Sequence, residues 1–244
     1  MNMAYDECAL ASRDLCLLRV YESKKEGVIL GRFQRIDEEI DLKKCLDDEI
    51  ELVRRISGGG TVFKVPSWEY NYSLVLSLDE FPAFHDVKKS YFIVLRVLLR
   101  TVNDLWKVNS EIYPGSTDIV LKSQKISGNS QARRGNRFLM HGTLLVKIDR
   151  TKMFRYIKMP RDKYLVRGFK EQSEFVTDLS SFSNSQVKFD DFADSFSENM
   201  AKLLNVERYY DNPSSKEIEL SKGICALRYH NSTWLYSGKL EEIK

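Results

Sequence analysis

Hydrophobic residues recur at intervals of three and four from Val87 to Trp106, through Tyr91, Val94, Leu95, Leu98, Val102 and Leu105. That spacing gathers them on one stripe and predicts a long amphipathic helix over 87–106. A two-residue period marks 72–78 as a strand, and short apolar runs at 17–21, 28–30, 50–54, 61–65, 118–121, 125–127 and 137–148 read the same way. Shorter helical patterns are expected at 3–12, 37–45, 189–204 and 214–229, with a further strand at 206–210. Residues 132–136 read as a polar turn, where Arg133, Arg134 and Arg137 form a solubilising cluster or attract an acidic partner. Strands interleaved irregularly with helices imply an α+β fold, a mixed or antiparallel sheet packed with helices.

The chain has 244 residues, which suits one large domain or a main domain with a small appendage. Thirty-eight Lys and Arg against thirty-five Asp and Glu leave only +3, too little for a nucleic-acid binder, so any basic site is local. No apolar run approaches the roughly 18 residues of a membrane span, and the N-terminal residues carry no apolar signal core. The four cysteines share no CxxC spacing and read as reduced thiols of a cytoplasmic protein.

Two runs ask for chemistry. Gly58, Gly59 and Gly60 follow Arg54-Arg55-Ile56-Ser57 and precede Thr61-Val62-Phe63. Three glycines between strands are entropically costly. They form either a hairpin turn or a bare backbone loop whose N–H groups approach an anion. Arg55 can join the face of Ser57 and offer a planar set of donors. No Gly-Lys-Ser/Thr follows, so the loop is not a Walker A motif. The second run is Asp118-Ile119-Val120-Leu121, continued by Lys125-Ile126-Ser127-Gly128-Asn129-Ser130. Lys125 alone reads as a solvated cation or as a catalyst, and His141 in His141-Gly142-Thr143-Leu144-Leu145 as a hydrogen-bonded structural histidine.

Taken in order with Met3-Ala4-Tyr5-Asp6-Glu7 and Gly31-Arg32-Phe33-Gln34, these motifs resemble the lipoate–protein ligase A family. The resemblance spans nearly the whole chain. It implies the biotin/lipoate ligase fold, related to class II aminoacyl-tRNA synthetase cores. It also implies activation of lipoate with ATP and Mg2+ to lipoyl-AMP, then transfer to a lysine of a lipoyl carrier domain (a 2-oxoacid dehydrogenase E2 or a glycine cleavage H protein). By position, Arg55, Gly58, Gly59, Gly60, Thr61, Val62, Phe63 and Lys125 would hold the adenylate. Arg55, Gly59, Lys125 and His141 would hold lipoate, and Asp118 would be a Mg2+ ligand or an orienting group. The chain further resembles the shorter ligases that need a separate small accessory subunit for adenylation, which implies a single catalytic domain over 1–244 with no separate accessory domain. It departs from the family at Lys64-Val65, where His-Asp is usual, at Trp68-Glu69 in place of Gly-Asn, and at Thr117 in place of Asn.

Three rival readings remain. An octanoyl transferase of the same fold passes its acyl group through a cysteine thioester and needs a thiolate near the lysine. Cys8, Cys16, Cys45 and Cys225 are the cysteines present, none between Lys125 and Lys222, which favours the ligase. A non-catalytic lipoyl- or partner-binding paralogue is suggested by the departures after the glycine loop. A biotin ligase is disfavoured because the Gly-Arg-Gly-Arg-like loop of those enzymes is absent.

Overall fold

The computed structural model describes residues 1–12 and 16–239. Its strands are β1 (Leu17–Tyr21), β2 (Gly27–Leu30), β3 (Glu51–Arg54), β4 (Val62–Lys64), β5 (Glu69–Ser77), β6 (Glu111–Ile112), β7 (Ile119–Leu121), β8 (Gln124–Arg134) and β9 (Arg137–Leu145). Its α-helices are α1 (Asn2–Ala11), α2 (Ile36–Glu39), α3 (Leu42–Asp47), α4 (Val87–Trp106), α5 (Arg150–Tyr156), α6 (Arg161–Leu165), α7 (Gln172–Phe175), α8 (Phe189–Leu204), α9 (Ser215–Ile224) and α10 (Ser232–Ser237). The fold is α+β, as the hydrophobic pattern implies.

Six strands form an antiparallel sheet in the order β1-β5-β9-β8-β7-β6, and β3-β2-β4 form a smaller mixed sheet. One face of the large sheet presents Tyr70, Tyr72, Leu74, Leu76, Phe138 and Met140 to the apolar stripes of α4 and α8, which supply Leu95, Leu98, Trp106, Phe192 and Phe196 to that core. The other face is mixed. Val75 and Leu139 pack against Ala9 and Leu10 of α1, but Asn71, Ser73, Ser130 and His141 on that side are buried too. The alternation along β5 therefore does not separate a dry face from a wet one. It separates an apolar core from a covered polar floor.

Register fixes that floor. Tyr21, Asn71, Thr143 and Gly128 oppose one another in turn across β1, β5, β9 and β8, and Arg19, Ser73, His141 and Ser130 do so two residues along. Directly opposed residues share a face, so the two rows form neighbouring tracks on one surface.

Several elements differ from the sequence pattern. Residues 37–45 are not one helix: Asp41 accepts from the Lys44 N–H and starts α3 as a new helix after α2. The expected turn at 132–136 shrinks to Gly135-Asn136, with Gly135 at φ 58°, because β8 runs on to Arg134 against β9. Only Arg134 of the three arginines is exposed. Arg137 is buried, and Arg133 donates to the Phe84 carbonyl and the Ser90 hydroxyl. Residues 206–210 form no strand: they have no ladder partner, and Tyr209 and Tyr210 face solvent. The helix expected over 214–229 is α9 followed by a π-helical turn, Cys225–Tyr229. Among the described residues, no helix is long and apolar enough to cross a membrane.

Candidate active site

The glycine loop leaves β3 and crosses the polar floor. Gly59 takes φ +85°, a conformation that disfavours side chains. Gly31 lies so close that a Cβ there would meet the Gly59 carbonyl oxygen at 2.0 Å. The turn at 31–34 is stitched to the loop: the Arg32 N–H donates to the Ser57 carbonyl (2.9 Å), and the Gln34 side-chain oxygen accepts from the Gly31 N–H (2.7 Å) and the Thr61 hydroxyl (2.9 Å).

Two buried arginines hold this assembly by its carbonyls. Arg54 donates to the carbonyls of Gly31 (2.8 Å), Gln34 (2.7 Å) and Leu235 (2.8 Å), tying the turn to α10. Arg55 donates through Nε to Ser57 Oγ (3.0 Å), through Nη2 to the carbonyls of Gly58 (2.6 Å) and Gly60 (2.8 Å), and through Nη1 to that of Ile29 (3.3 Å). Burial lowers its pKa to about 10. Arg55 thus shapes the loop instead of presenting a free guanidinium. In a trans peptide the N–H points opposite the preceding carbonyl. With the Gly58 and Gly60 carbonyls turned to Arg55, the N–H groups of Gly59 and Thr61 point the other way.

Behind the loop, Ser57 Oγ lies 2.6 Å from His141 Nε2, His141 Nδ1 lies 3.1 Å from Asp6 Oδ2, and Asp6 Oδ1 pairs with Arg19 at 2.5 Å. Asp6 fixes the ring proton on Nδ1. Nε2 shares a hydrogen bond with Ser57 Oγ, which accepts from Arg55. The chain runs unbroken from Ser57 to Arg19, and it ties α1 and β1 to the loop.

Lys125 enters from β8. Its ammonium folds back over Gly128, where a Cβ would lie 2.8 Å from both Cε and Nζ. It pairs with Asp118 Oδ1 at 2.7 Å, and Asp118 Oδ2 takes Arg167 Nη2 at 2.5 Å. Arg167 sits between the rings of Tyr113 (4.0 Å) and Phe175 (4.4 Å). Burial raises the Asp118 pKa, but the adjoining Lys125 and Arg167 outweigh it, and the carboxyl stays below its ordinary value.

The loop, the lysine and the floor meet in one cleft of about 90 Å³, lined by Arg55, Gly59, Gly60, Thr61, Val62, Lys125 and His141 among the expected residues. Gly58 contributes its carbonyl to Arg55 and Ser130 and is not part of the lining. Phe63 points the other way, as strand alternation demands, and packs with Tyr156 and Trp68 in the core under the small sheet. Of the two roles expected for Asp118, orientation fits, since both its oxygens are ion-paired. Among the described residues no cluster of three or more His, Cys, Asp or Glu could hold a metal ion. Gly128, Ser130, Asn71, Lys64 and Arg167 also belong to the site, and sequence reasoning does not assign them. Lys64, a charged residue inside the apolar run Val62-Phe63-Lys64-Val65, carries a signal of its own. Arg167 carries none, because its role depends on a fold-back from 49 residues away.

Comparison with known proteins identifies the family. The chain is 29% identical to octanoyltransferase LipM of Carboxydothermus hydrogenoformans over 96% of this chain and 93% of that protein. It is 28% identical to lipoate-protein ligase A subunit 1 of Thermoplasma acidophilum over 96% and 90%. A crystal structure of lipoate-protein ligase A bound with ATP superposes with a TM-score of 0.82 at 25% identity, covering 97% of this chain and 93% of that one. Residues 1–201 match the lipoyl protein ligase A/B catalytic domain, and the chain belongs to that family.

Proposed function

We propose that the protein is an ATP-dependent, acyl-adenylate-forming ligase that activates lipoate and passes the lipoyl group to a lysine of a carrier domain. One observation carries this reading. The Lys125 ammonium and the glycine loop face a single cleft that no cysteine lines. Cys8 and Cys225 lie outside it with α9 and His230, Cys45 is buried under the small sheet, and Cys16 lies beside Glu80.

In this reading the N–H groups of Gly59 and Thr61 receive phosphate oxygens, and Lys125 sits where the acid's carboxylate meets the α-phosphate. Attack on phosphorus concentrates negative charge there, and a fixed ammonium stabilises it without reorganising. When the acceptor amine attacks the acyl carbon, the departing AMP keeps the same counter-charge. Asp118 and Arg167 hold Lys125 in place. Because Asp118 is occupied by cations, Mg2+ would be held by the nucleotide's phosphates, and no step is assigned to a protein-bound metal. The acceptor would be a lipoyl domain of an E2 or H protein. The likeness to a protein designated subunit 1 motivates a test for a separate accessory subunit.

Acyl transfer from an octanoyl thioester is a second reading, favoured by the identity to LipM. The deciding experiment incubates the protein with a lipoyl domain and either ATP, Mg2+ and free lipoate or octanoyl acyl carrier protein, with mass detection of the acceptor. ATP-dependent addition of lipoyl, with pyrophosphate released, is expected. Acylation only from the thioester, through a covalent enzyme intermediate, would overturn the ligase reading. Tight lipoyl-AMP binding with no transfer in either arm would indicate a binding-only protein.

A further inference from the structure

We infer that the acyl channel of this protein is built for an acid carrying a sulfur or oxygen hydrogen-bond acceptor several carbons from its carboxyl, and that Lys64, with Asn71 and Thr143, selects it over a plain saturated chain. The inference rests on the ligase reading and refines its substrate.

Lys64 lies on β4 between Phe63 and Val65, both buried in the core under the small sheet, yet its own side chain lines the cleft. Only 7% of the residue is exposed. Its ammonium donates to Asn71 Oδ1 and Thr143 Oγ1, which occupies two of its three N–H groups. Glu69 nearby takes its own bond from the Val65 N–H at 3.3 Å. Burial lowers the Lys64 pKa to about 8, with the Glu69 carboxylate opposing the shift and Arg55 adding to it. A buried cation with a donor left over is costly to cover with hydrocarbon.

The floor shows where this donor sits along a bound acid. Asn71, Thr143 and Gly128 oppose one another across β5, β9 and β8, and Lys125 caps the row at Gly128. The Lys64 cluster therefore stands one to two strand spacings, roughly 5–10 Å, from the reacting carboxyl. Beyond it Tyr21 continues the row, and Met3, Ile29 and Val62 supply apolar walls. A chain anchored at Lys125 crosses the cluster several carbons down. A dithiolane or a distal hydroxyl offers the missing acceptor there; a methylene does not. Sites that hydrogen-bond a substrate group discriminate against analogues lacking it far more strongly than apolar pockets discriminate by size.

The test is calorimetric binding of lipoate, 8-hydroxyoctanoate and octanoate to the intact protein, with a melting curve for each variant. The wild type should bind both functionalised acids at least tenfold tighter than octanoate. Lys64→Met should bring the ratio near one, chiefly by tightening octanoate. Lys64→Gln and Thr143→Val are second variants should Lys64→Met fail to fold, and each should narrow the ratio. Equal affinities in the wild type, or a ratio unchanged in the folded variants, would overturn the inference and leave Lys64 a structural partner of Asn71 and Thr143. Pyrophosphate release with lipoate is measured in parallel. Release without discrimination sinks this inference alone, and discrimination with no release, even after a lipoate-ligase accessory subunit is added, sinks the ligase reading alone.

Discussion

Replacing Gly128 by Ala tests the position of the Lys125 ammonium without altering any charge. The added Cβ would lie 2.8 Å from Lys125 Cε and Nζ, against 3.4 Å or more for ordinary contact, so the ammonium must retreat by about 0.6 Å or more. Nothing else lies within 4 Å of that Cβ. The backbone lacks the positive φ that would strain alanine, and Gly→Ala at a compatible site gains about 0.4–1 kcal/mol through the unfolded chain. Loosening the part-exposed Lys125–Asp118 pair costs up to about 1 kcal/mol, so net stability should barely move. Catalysis should respond very differently. Misplacing a reacting group by about 1 Å can cost on the order of 10²-fold. Adenylation measured by pyrophosphate release should therefore slow roughly ten- to a hundredfold, about 1.4–2.7 kcal/mol of barrier. A variant that melts with the wild type and keeps half its rate would show that the lysine does not act from this position.

Lys125→Ala should abolish pyrophosphate release with little change in melting temperature, because Asp118 keeps its 2.5 Å bond to Arg167; unchanged release would remove the lysine from the chemistry. Gly59→Val should abolish nucleotide binding by calorimetry, since φ +85° and Arg55 Nη2 only 3.0 Å from the new Cβ leave the loop no room; wild-type ATP affinity would return the glycines to a mere turn. Arg167→Met should lower kcat with less effect on the KM for ATP and move the acid limb of the rate profile upward in pH. The Asp118 carboxyl, raised by burial, is held down by Lys125 and Arg167, and removing one cation lets it protonate sooner. Because that carboxyl titrates below its unfolded value, its stabilising contribution is present above the ordinary carboxylate pKa and fades as pH falls through the depressed one. An acid limb that does not move would separate Asp118 from catalysis.

How much of this is legible in the chain follows from the range of each interaction. The helix at 87–106 and the strands flanking the glycines are written locally in periodicity, and the structure keeps them. The long polar strand β8 is not. Gln124 to Arg134 holds few apolar residues, and its extended form comes from pairing with β9 from Ser127 onward. The converse holds for 206–210, where β-favouring residues lack a neighbouring strand. At the site, the glycines and Lys125 announce themselves because their residue types are out of place locally. Arg167, Asp6 and Ser130 act through contacts made 49, 135 and 72 residues apart, which no window of sequence displays.

The direction in which Arg55 points changes what such a loop requires. An arginine beside a glycine triplet suggests a direct grip on an anion, yet here its donors go to the loop's own carbonyls. Carbonyl oxygens left facing the cleft would repel a phosphate. Arg55, itself part of the cleft lining, binds the Gly58 and Gly60 carbonyls and adds its remaining charge to the field at the cleft. The Ser57–His141–Asp6–Arg19 chain then anchors the residue that begins the loop to α1 and β1, so the cradle is set before any ligand arrives. Preorganisation of this kind contributes to stabilising charge that develops only in the transition state, because no dipole must rotate when the charge appears. The glycines provide space and, at Gly59, left-handed geometry, but it is the buried arginine that takes up the carbonyl oxygens that would otherwise repel a phosphate.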